Sequence, residues 1–201
     1  MLDGVLKRRI DPALAALAST LDRRRISANA VTAGGLALGL AAAGSIASGW
    51  LLAGLVLILL SRLADGLDGA LARRRGPTDL GGYLDIVFDY IFYGAIPLAF
   101  AVLDPDRNAL PAAMLLTSFY ANCASFLAFA VMAEKRRLSA SPRGPKSFYF
   151  TTGLAEGSET LLVFVLACLF PAHFPVLAAV FTAMCVWTCA ARIALAIRTF
   201  G

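Results

Sequence analysis

Residues 64–92 read ADGLDGALARRRGPTDLGGYLDIVFDYIF, and four of the five aspartates in this stretch are spaced three or four residues apart in or beside apolar runs. They are Asp65, Asp68, Asp85 and Asp89. A lone carboxylate at the depth of a membrane is costly or becomes protonated, so four of them need a positive partner. A divalent metal ion meets that need, and we expect this stretch to organise the rest of the chain.

The spacing of the four aspartates places each pair on one face of a helix. Asp65 and Asp68 are three residues apart, and Asp85 and Asp89 are four apart. If Pro77 ends the first helix, two antiparallel neighbours bring all four carboxylates to roughly 7–15 Å from the intervening turn. Two such faces form an oxygen-rich cage of the kind that suits Mg²⁺ or Mn²⁺.

The composition of the chain is that of a membrane protein. Of its 201 residues, 59% are hydrophobic and only 15% are charged, which lies outside the usual range of soluble domains. Six apolar runs each approach the ~20 residues that a helix needs to cross a bilayer. They are Ala30 to Ser48, Leu51 to Ala72, Leu80 to Leu103, Ala109 to Ala133, Phe148 to Phe170 and Phe174 to Ile197. We therefore predict an all-α integral membrane protein with six transmembrane helices.

An amphipathic segment precedes the first apolar run. Leu14, Leu17, Ala18 and Leu21 fall on one helical stripe, and basic residues flank them on both sides. This pattern predicts an interfacial helix on the anionic cytoplasmic leaflet, with a short solvated helix as the alternative. Residues 1–201 then form a single domain, with a cytoplasmic amphipathic segment at 1–26 and a six-helix transmembrane bundle at 27–201.

The distribution of basic residues indicates the orientation. Among the 18 lysines and arginines, Arg62 and Arg192 lie within spans and only Arg107 falls in an outer loop. An excess of positive charge marks cytoplasmic segments, so both termini and the aspartates are expected to face the cytoplasm. The net charge of +5 then reflects membrane orientation, and we predict no nucleic-acid partner.

Two further groups of charges are candidates for binding an acceptor substrate. Lys135, Arg143 and Lys146 lie in a predicted cytoplasmic loop, where they anchor to headgroups or bind a second anionic group. They favour a phosphorylated polyol.

Glu156 and Glu159 lie in the fifth apolar run. They contact the acceptor or form ion pairs with Arg62 or Arg192. As acceptor contacts they would favour an amine-bearing or hydroxyl-rich alcohol, so the two groups of charges point to different acceptors.

The pattern from Asp65 to Asp89 is D-x-x-D-G-x-x-A-R, seven residues, then G-x-x-x-D-x-x-x-D. It resembles the signature of the CDP-alcohol phosphotransferase (CDP-alcohol phosphatidyltransferase) family, and every fixed position is filled. The resemblance extends over the whole chain, since that family is similar in its amphipathic N-terminal helix, six spans, cytoplasm-facing site and homodimeric assembly. It implies a multi-pass protein of the bacterial cytoplasmic (inner) membrane.

The resemblance also implies a reaction and roles for individual residues. A CDP-linked donor, in bacteria usually CDP-diacylglycerol, loses CMP as its substituted phosphoryl group passes to the hydroxyl of an acceptor alcohol. The three residues Asp65, Asp68 and Asp85 would hold two divalent ions, Mg²⁺ or Mn²⁺, with Asp89 also near the metal as the general base. The cytidine and phosphate contacts implied by position are Gly69, Ala72, Gly81, Arg73, Asn29 and Thr32.

Two other readings remain open from the sequence. In one, the family is the same but a soluble CDP-alcohol is the donor and diacylglycerol or another alcohol is the acceptor. In the other, the chain is a small cation-binding transporter, which predicts acidic residues along the full depth of the bilayer. The predicted carboxylates cluster in one half, which favours the transferase, with a polyol or polyol phosphate as acceptor.

Overall fold

The computed structural model describes residues 14–138, 155 and 157–201, and regular structure in these residues is entirely helical. This agrees with the predicted all-α class. Residues 14–23 form α1. The remaining helices are α2 (Ala28–Ala47), α3 (Leu51–Arg75), α4 (Asp79–Leu103), α5 (Pro105–Lys135), α6 (Gly157–Leu169) and α7 (Phe174–Phe200), with a 3-10 turn at Pro171–His173.

Four helices within the described ranges are long and apolar enough to cross a membrane by length and composition. They are α2, α4, α5 and the segment Pro171–Phe200, which contains α7. The 25 residues of α3 include two aspartates and three terminal arginines, and α6 has only 13 residues. The structure therefore supports an integral membrane protein, while the count of six spans stays a prediction.

The first helix packs along the C-terminal half of α3. Leu14 and Ala18 are buried against Ala70 and Leu71. Leu17, which the sequence places on the same stripe, is 48% exposed. Part of the predicted apolar stripe thus faces α3, and contact of α1 with a membrane surface stays a prediction.

An ionic contact joins α1 to the end of α3. Arg75 Nε donates to Asp22 Oδ1 at 2.6 Å, and Arg75 Nη2 donates to the Asp22 carbonyl at 3.1 Å. Arg74 Nε lies 3.5 Å from Asp22 Oδ2. The hydrogen bond from Arg75, reinforced by the charges of both arginines, outweighs partial desolvation and holds the pKa of Asp22 below its ordinary 3.8.

Small residues allow α2 to approach α3 and α4 closely. A Cβ atom on Gly35 would lie 3.3 Å from Ala64 Cβ, and Ser61 Oγ donates to the Gly35 carbonyl at 2.8 Å. A Cβ atom on Gly39 would lie only 2.6 Å from a ring carbon of Phe92. The glycines of α2 therefore serve backbone packing, which is a common device between membrane helices.

The start of α2 and the turn between α3 and α4 lie together, and we call this side of the bundle the carboxylate end. Ser27 caps α2 by accepting a hydrogen bond from the Ala30 N–H at 3.2 Å. Gly76 adopts φ +93°, a conformation that favours glycine, and ends α3 before Pro77. Thr78 then caps α4, so both helices at this end are started by hydroxyl side chains.

The last helix, α7, packs on α5. The rings of Phe119 and Phe181 meet edge to face with centroids 5.9 Å apart. At the helix ends, Arg136 donates to the carbonyls of Thr199 and Phe200 at 3.2 and 2.7 Å. Aromatic packing and this arginine clamp fix the α5 and α7 pair along its length.

Candidate active site

Three carboxylates meet at the carboxylate end. Asp65 and Asp68 of α3 and Asp85 of α4 can each present one oxygen such that these oxygens lie within 4.8 Å of one another. Asp68 is 6% exposed, and its Oδ2 is buried with no hydrogen-bond partner among the described residues. A bound cation would satisfy that oxygen, so the donor set fits a divalent metal of the oxygen-preferring class.

The fourth aspartate is placed differently from the other three. Asp89 lines the same small cavity, but its Oδ1 accepts a hydrogen bond from Arg62 Nη1 at 2.7 Å. The same nitrogen lies 3.6 Å from Asp65 Oδ1. The structure thus brings all four aspartates to one level of the bundle. Asp89 pairs with Arg62, for which the sequence analysis had suggested Glu156 or Glu159 as a partner.

A second cavity of about 330 Å³ adjoins the carboxylates. Asp68 and Asp85 form part of its wall, so the two cavities share these residues. The start of α2, the end of α3 and the start of α4 supply the rest. Among the residues predicted to bind nucleotide, those that line it are Asn29, Thr32, Gly69, Ala72 and Gly81.

The two glycines among these positions have different surroundings. Among the described residues outside the backbone of α3, a Cβ atom on Gly69 would meet only Arg73 Nη1, at 3.6 Å, so the missing side chain leaves open space. A Cβ atom on Gly81 would lie 3.0 Å from Thr78 Oγ1 and 3.3 Å from Asn29 Oδ1. Arg73, predicted to hold a phosphate, therefore lies beside the open space at Gly69, although it is not among the lining residues.

Arg75 also lines this cavity, and the sequence analysis gave it no role in binding. It follows Asp68 and Ala72 at i+7 and i+3, so all three share one face of α3. This helical spacing is the feature of the sequence from which a place for Arg75 in the cavity wall could have been predicted. The contact with Asp22, by contrast, joins residues 53 positions apart and could not be read from the helix pattern.

The predicted acceptor contacts are only partly described. Lys135 ends α5, and Glu159 lies in the first turn of α6, where its carboxylate accepts a hydrogen bond from Ser158 Oγ at 3.0 Å. Neither lines the two cavities formed by residues 14–138 and 157–201. The other three residues, Arg143, Lys146 and Glu156, lie outside the described residues.

A second arginine lies within the helix bundle, between α5 and α7. Arg192 Nη1 donates to Asn122 Oδ1 at 2.8 Å, to the Asn122 carbonyl at 2.9 Å and to Ser125 Oγ at 2.7 Å. Its guanidinium lies 5.5 Å from the centroid of the Phe126 ring. These hydrogen-bond acceptors are all uncharged, which distinguishes Arg192 from Arg62.

Comparison with known proteins agrees with this arrangement. The family described as CDP-alcohol phosphatidyltransferase matches residues 25–197. The chain is 48% identical over 193 residues to the inner membrane protein YnjF of Escherichia coli K12, a match that covers 96% of this chain and 94% of the relative. It is 40% identical over 93 residues to an archaetidylinositol phosphate synthase of Methanothermobacter thermautotrophicus, covering 46% and 44% of the two chains.

Solved structures show the same fold. Phosphatidylinositol phosphate synthase (PgsA1) of Mycobacterium tuberculosis with CDP-DAG bound has a TM-score of 0.66 and 24% identity, covering 90% of this chain and 92% of that one. The same enzyme in complex with manganese and citrate has a TM-score of 0.67 and 24% identity, covering 90% and 87%. This chain is therefore an integral membrane transferase that belongs to the CDP-alcohol phosphatidyltransferase family.

Proposed function

We propose that the protein transfers the phosphatidyl group of CDP-diacylglycerol to the hydroxyl of a polar alcohol and releases CMP. The observation that carries this proposal is the carboxylate cluster of Asp65, Asp68 and Asp85 beside the cavity of about 330 Å³. The cluster supplies metal ligands, and the cavity has room for a nucleotide. The solved relative with CDP-DAG bound supports this choice of donor.

Asp65, Asp68 and Asp85 would hold divalent ions, Mg²⁺ or Mn²⁺, and we propose two ions with Asp89 completing the set. When bound, such ions neutralise the pyrophosphate of the donor and the charge that develops on the leaving CMP. The relative in complex with manganese supports this class of ion.

The remaining roles fall to residues of the cavity. The cytidine would lie against Gly69, Ala72 and Gly81 of the cavity wall, and Arg73, beside the space at Gly69, would donate to a phosphate oxygen. Asn29 and Thr32 extend this wall from α2.

Asp89 is the proposed general base. It accepts the proton of the acceptor hydroxyl as that oxygen bonds to the phosphatidyl phosphorus and the bond to the CMP oxygen breaks. We propose direct in-line transfer within a ternary complex. Isolation of a phosphoryl-enzyme would contradict it.

For the acceptor we propose a polyol or a polyol phosphate. The relatives named as inositol phosphate synthases support this class. Arg192, whose described acceptors are neutral, offers a positive charge to a phosphate within the bundle. Lys135, Arg143 and Lys146 remain proposed contacts for the same group, and Glu156 and Glu159 for hydroxyls.

We further propose the arrangement in the membrane. Residues 1–201 form one domain with six spans, α1 lies on the cytoplasmic leaflet, and the termini and the carboxylate end face the cytoplasm of a bacterial inner membrane. The clustering of Arg73, Arg74 and Arg75 at that end supports this orientation. The functional unit is proposed to be a homodimer.

The test is CMP release by purified protein in lipid micelles with CDP-diacylglycerol and Mg²⁺ or Mn²⁺. Acceptors are glycerol 3-phosphate, inositol, inositol phosphate, serine and choline. We expect metal-dependent release that one acceptor stimulates. The variant Asp89→Asn should lower the rate by roughly 10²–10⁴-fold, the range of general-base catalysis.

The conservative exchange Asp79→Asn, in the first turn of α4 and outside both cavities, is the matched control and should leave the rate near that of the wild type. Absence of release with every acceptor would reject CDP-diacylglycerol as the donor. CDP-alcohols with diacylglycerol would then be tried.

A further inference from the structure

Arg62 is a buried cation placed among the carboxylates. It lies one helical turn before Asp65 on α3, and 15% of its side chain is exposed. Its Nη1 donates to Asp89 Oδ1 at 2.7 Å and lies 3.6 Å from Asp65 Oδ1. The arginine thus contacts two carboxylates of the proposed metal site and neutralises one of them, Asp89, the proposed base.

Neighbouring groups hold the guanidinium in this position. It lies 4.1 Å from the centroid of the Phe92 ring, and Nη2 is 3.3 Å from Ser61 Oγ, to which it donates. Its Nε is buried with no hydrogen-bond partner within the described part of the chain. An unpaired charge in a buried position is costly, so the guanidinium depends on its ion pair with Asp89.

The charges around Arg62 limit how many metal ions the resting site can hold. One divalent ion at Asp65, Asp68 and Asp85, together with the guanidinium, brings the four carboxylates to within one charge of neutrality. A further divalent ion would have to approach the guanidinium and compete with it for Asp89. The phosphates of a bound donor would add negative charge beside the carboxylates, and this added charge would favour binding of a second divalent ion.

We infer that Arg62 is a positioning residue that takes the place of a second cation beside Asp89 while no substrate is bound. This inference rests on the proposed function. The resting protein then binds one divalent ion tightly, and Asp89 joins the metal site only after it separates from Arg62. Arg62 thereby couples release of the base to arrival of the donor.

The test counts Mn²⁺ bound to purified protein in detergent without nucleotide, from the loss of the electron paramagnetic resonance signal of free Mn²⁺. We expect the wild type to bind one ion per chain tightly. The variant Arg62→Gln should bind a second ion at least about tenfold more tightly than the wild type does, within the range seen when a neighbour of a metal ligand is changed. Arg62→Lys, which keeps the charge, should behave as the wild type.

Three further variants show which residues determine the number and affinity of the bound Mn²⁺ ions. Asp89→Asn keeps an oxygen that can accept from Arg62, and it should leave the first ion's affinity unchanged, whereas Asp68→Asn should weaken it by at least about tenfold. Arg192→Gln removes the other arginine within the helix bundle, whose described partners are neutral, and should leave the number and affinity of the bound Mn²⁺ ions as in the wild type.

Two tight ions in the wild type, no gain of a second ion in Arg62→Gln, or a weakened first ion in Asp89→Asn would overturn the inference. The Asp89→Asn measurement tests it even where Arg62→Gln does not fold. CMP release is measured separately on the same preparations. Failure of that assay with the expected ion counts would reject the proposed function and leave the role of Arg62 toward the metal standing.

Discussion

Gly69 decides how much room the larger cavity offers next to Asp68. Its missing side chain faces open space, and Arg73 Nη1, at 3.6 Å, is the one atom of the described residues beyond the α3 backbone that an added Cβ would meet within 4 Å. We predict that Gly69→Val raises the KM for the CDP-linked donor by roughly tenfold, or ~1.4 kcal/mol of lost binding, because the new methyl groups occupy the space proposed for the nucleotide.

The matched control is Gly94→Val on α4, where an added Cβ would likewise meet open space but which lines neither cavity. Both variants place a β-branched residue in a helix, so their melting temperatures should be similar. An equal KM in the two variants would show that the cavity beside Gly69 does not bind the donor.

At the scale of single residues, the sequence predicted the cluster of carboxylates but not the pairing of Asp89 with Arg62. The i, i+3 and i, i+4 spacings fix which aspartates share a helix face, and the structure places Asp65, Asp68 and Asp85 together. The pairing of Arg62 with Asp89 depends on the rotation of α3 against α4, which local spacing does not encode. For that reason the sequence suggested Glu156 or Glu159 as the partner of Arg62 and not Asp89.

Among the helices, α1 is the element whose attachment can be tested most directly. The Asp22 contact with Arg75 joins α1 to the wall of the larger cavity. We predict that Asp22→Asn lowers the melting temperature at neutral pH by less than Leu71→Ala does. Leu71 is fully buried, and such a truncation costs about 2–5 kcal/mol, whereas exposed ion pairs contribute little.

The pH dependence of the difference in melting temperature between the wild type and Asp22→Asn tests whether the ion pair causes it. The pKa of Asp22 is lower in the folded protein than the ordinary 3.8, so its pairing stabilises the fold fully above that value. The stabilisation is lost as the pH falls through the folded pKa. The wild type and Asp22→Asn should therefore differ at pH 7, approach each other as the pH falls below 3.8, and converge once the pH is below the folded pKa of Asp22. A difference in melting temperature that does not change with pH would contradict the ion-pair explanation.

The ends of the helices were more predictable than their contacts. Pro77 and the glycine before it separate α3 from α4, and the predicted third span, Leu80 to Leu103, differs from the observed helix Asp79–Leu103 by one residue at its start. Turn residues act locally and can be read from a single sequence. The partial burial of the α1 stripe could not be read in this way, because it depends on the position of α3.

Across the whole molecule, one group of helices forms the candidate site and another packs outside it. The three helices α2, α3 and α4 form both cavities, whereas α5 packs on α4 and α7 packs on α5. Composition alone predicted an all-helical membrane protein, since hydropathy averages over many residues. It could not identify the acceptor, because the charges proposed to select it are scattered through the second half of the chain and are not organised by one helix period.

The arginine clamp between α5 and α7 suggests that two separate fragments of the chain can associate. Arg136 holds the carbonyls at the end of α7, and aromatic rings pair the two helices, so this contact does not depend on the residues that link α5 to α6. We predict that fragments 1–138 and 139–201, expressed together, copurify in mild detergent, and that Arg136→Ala in the first fragment lowers the yield of the complex. Fragments that separate while the intact chain stays folded would contradict this. If the fragments do copurify, the peptide bond after Leu138 is dispensable, and the enzyme can be rebuilt from two separately encoded parts.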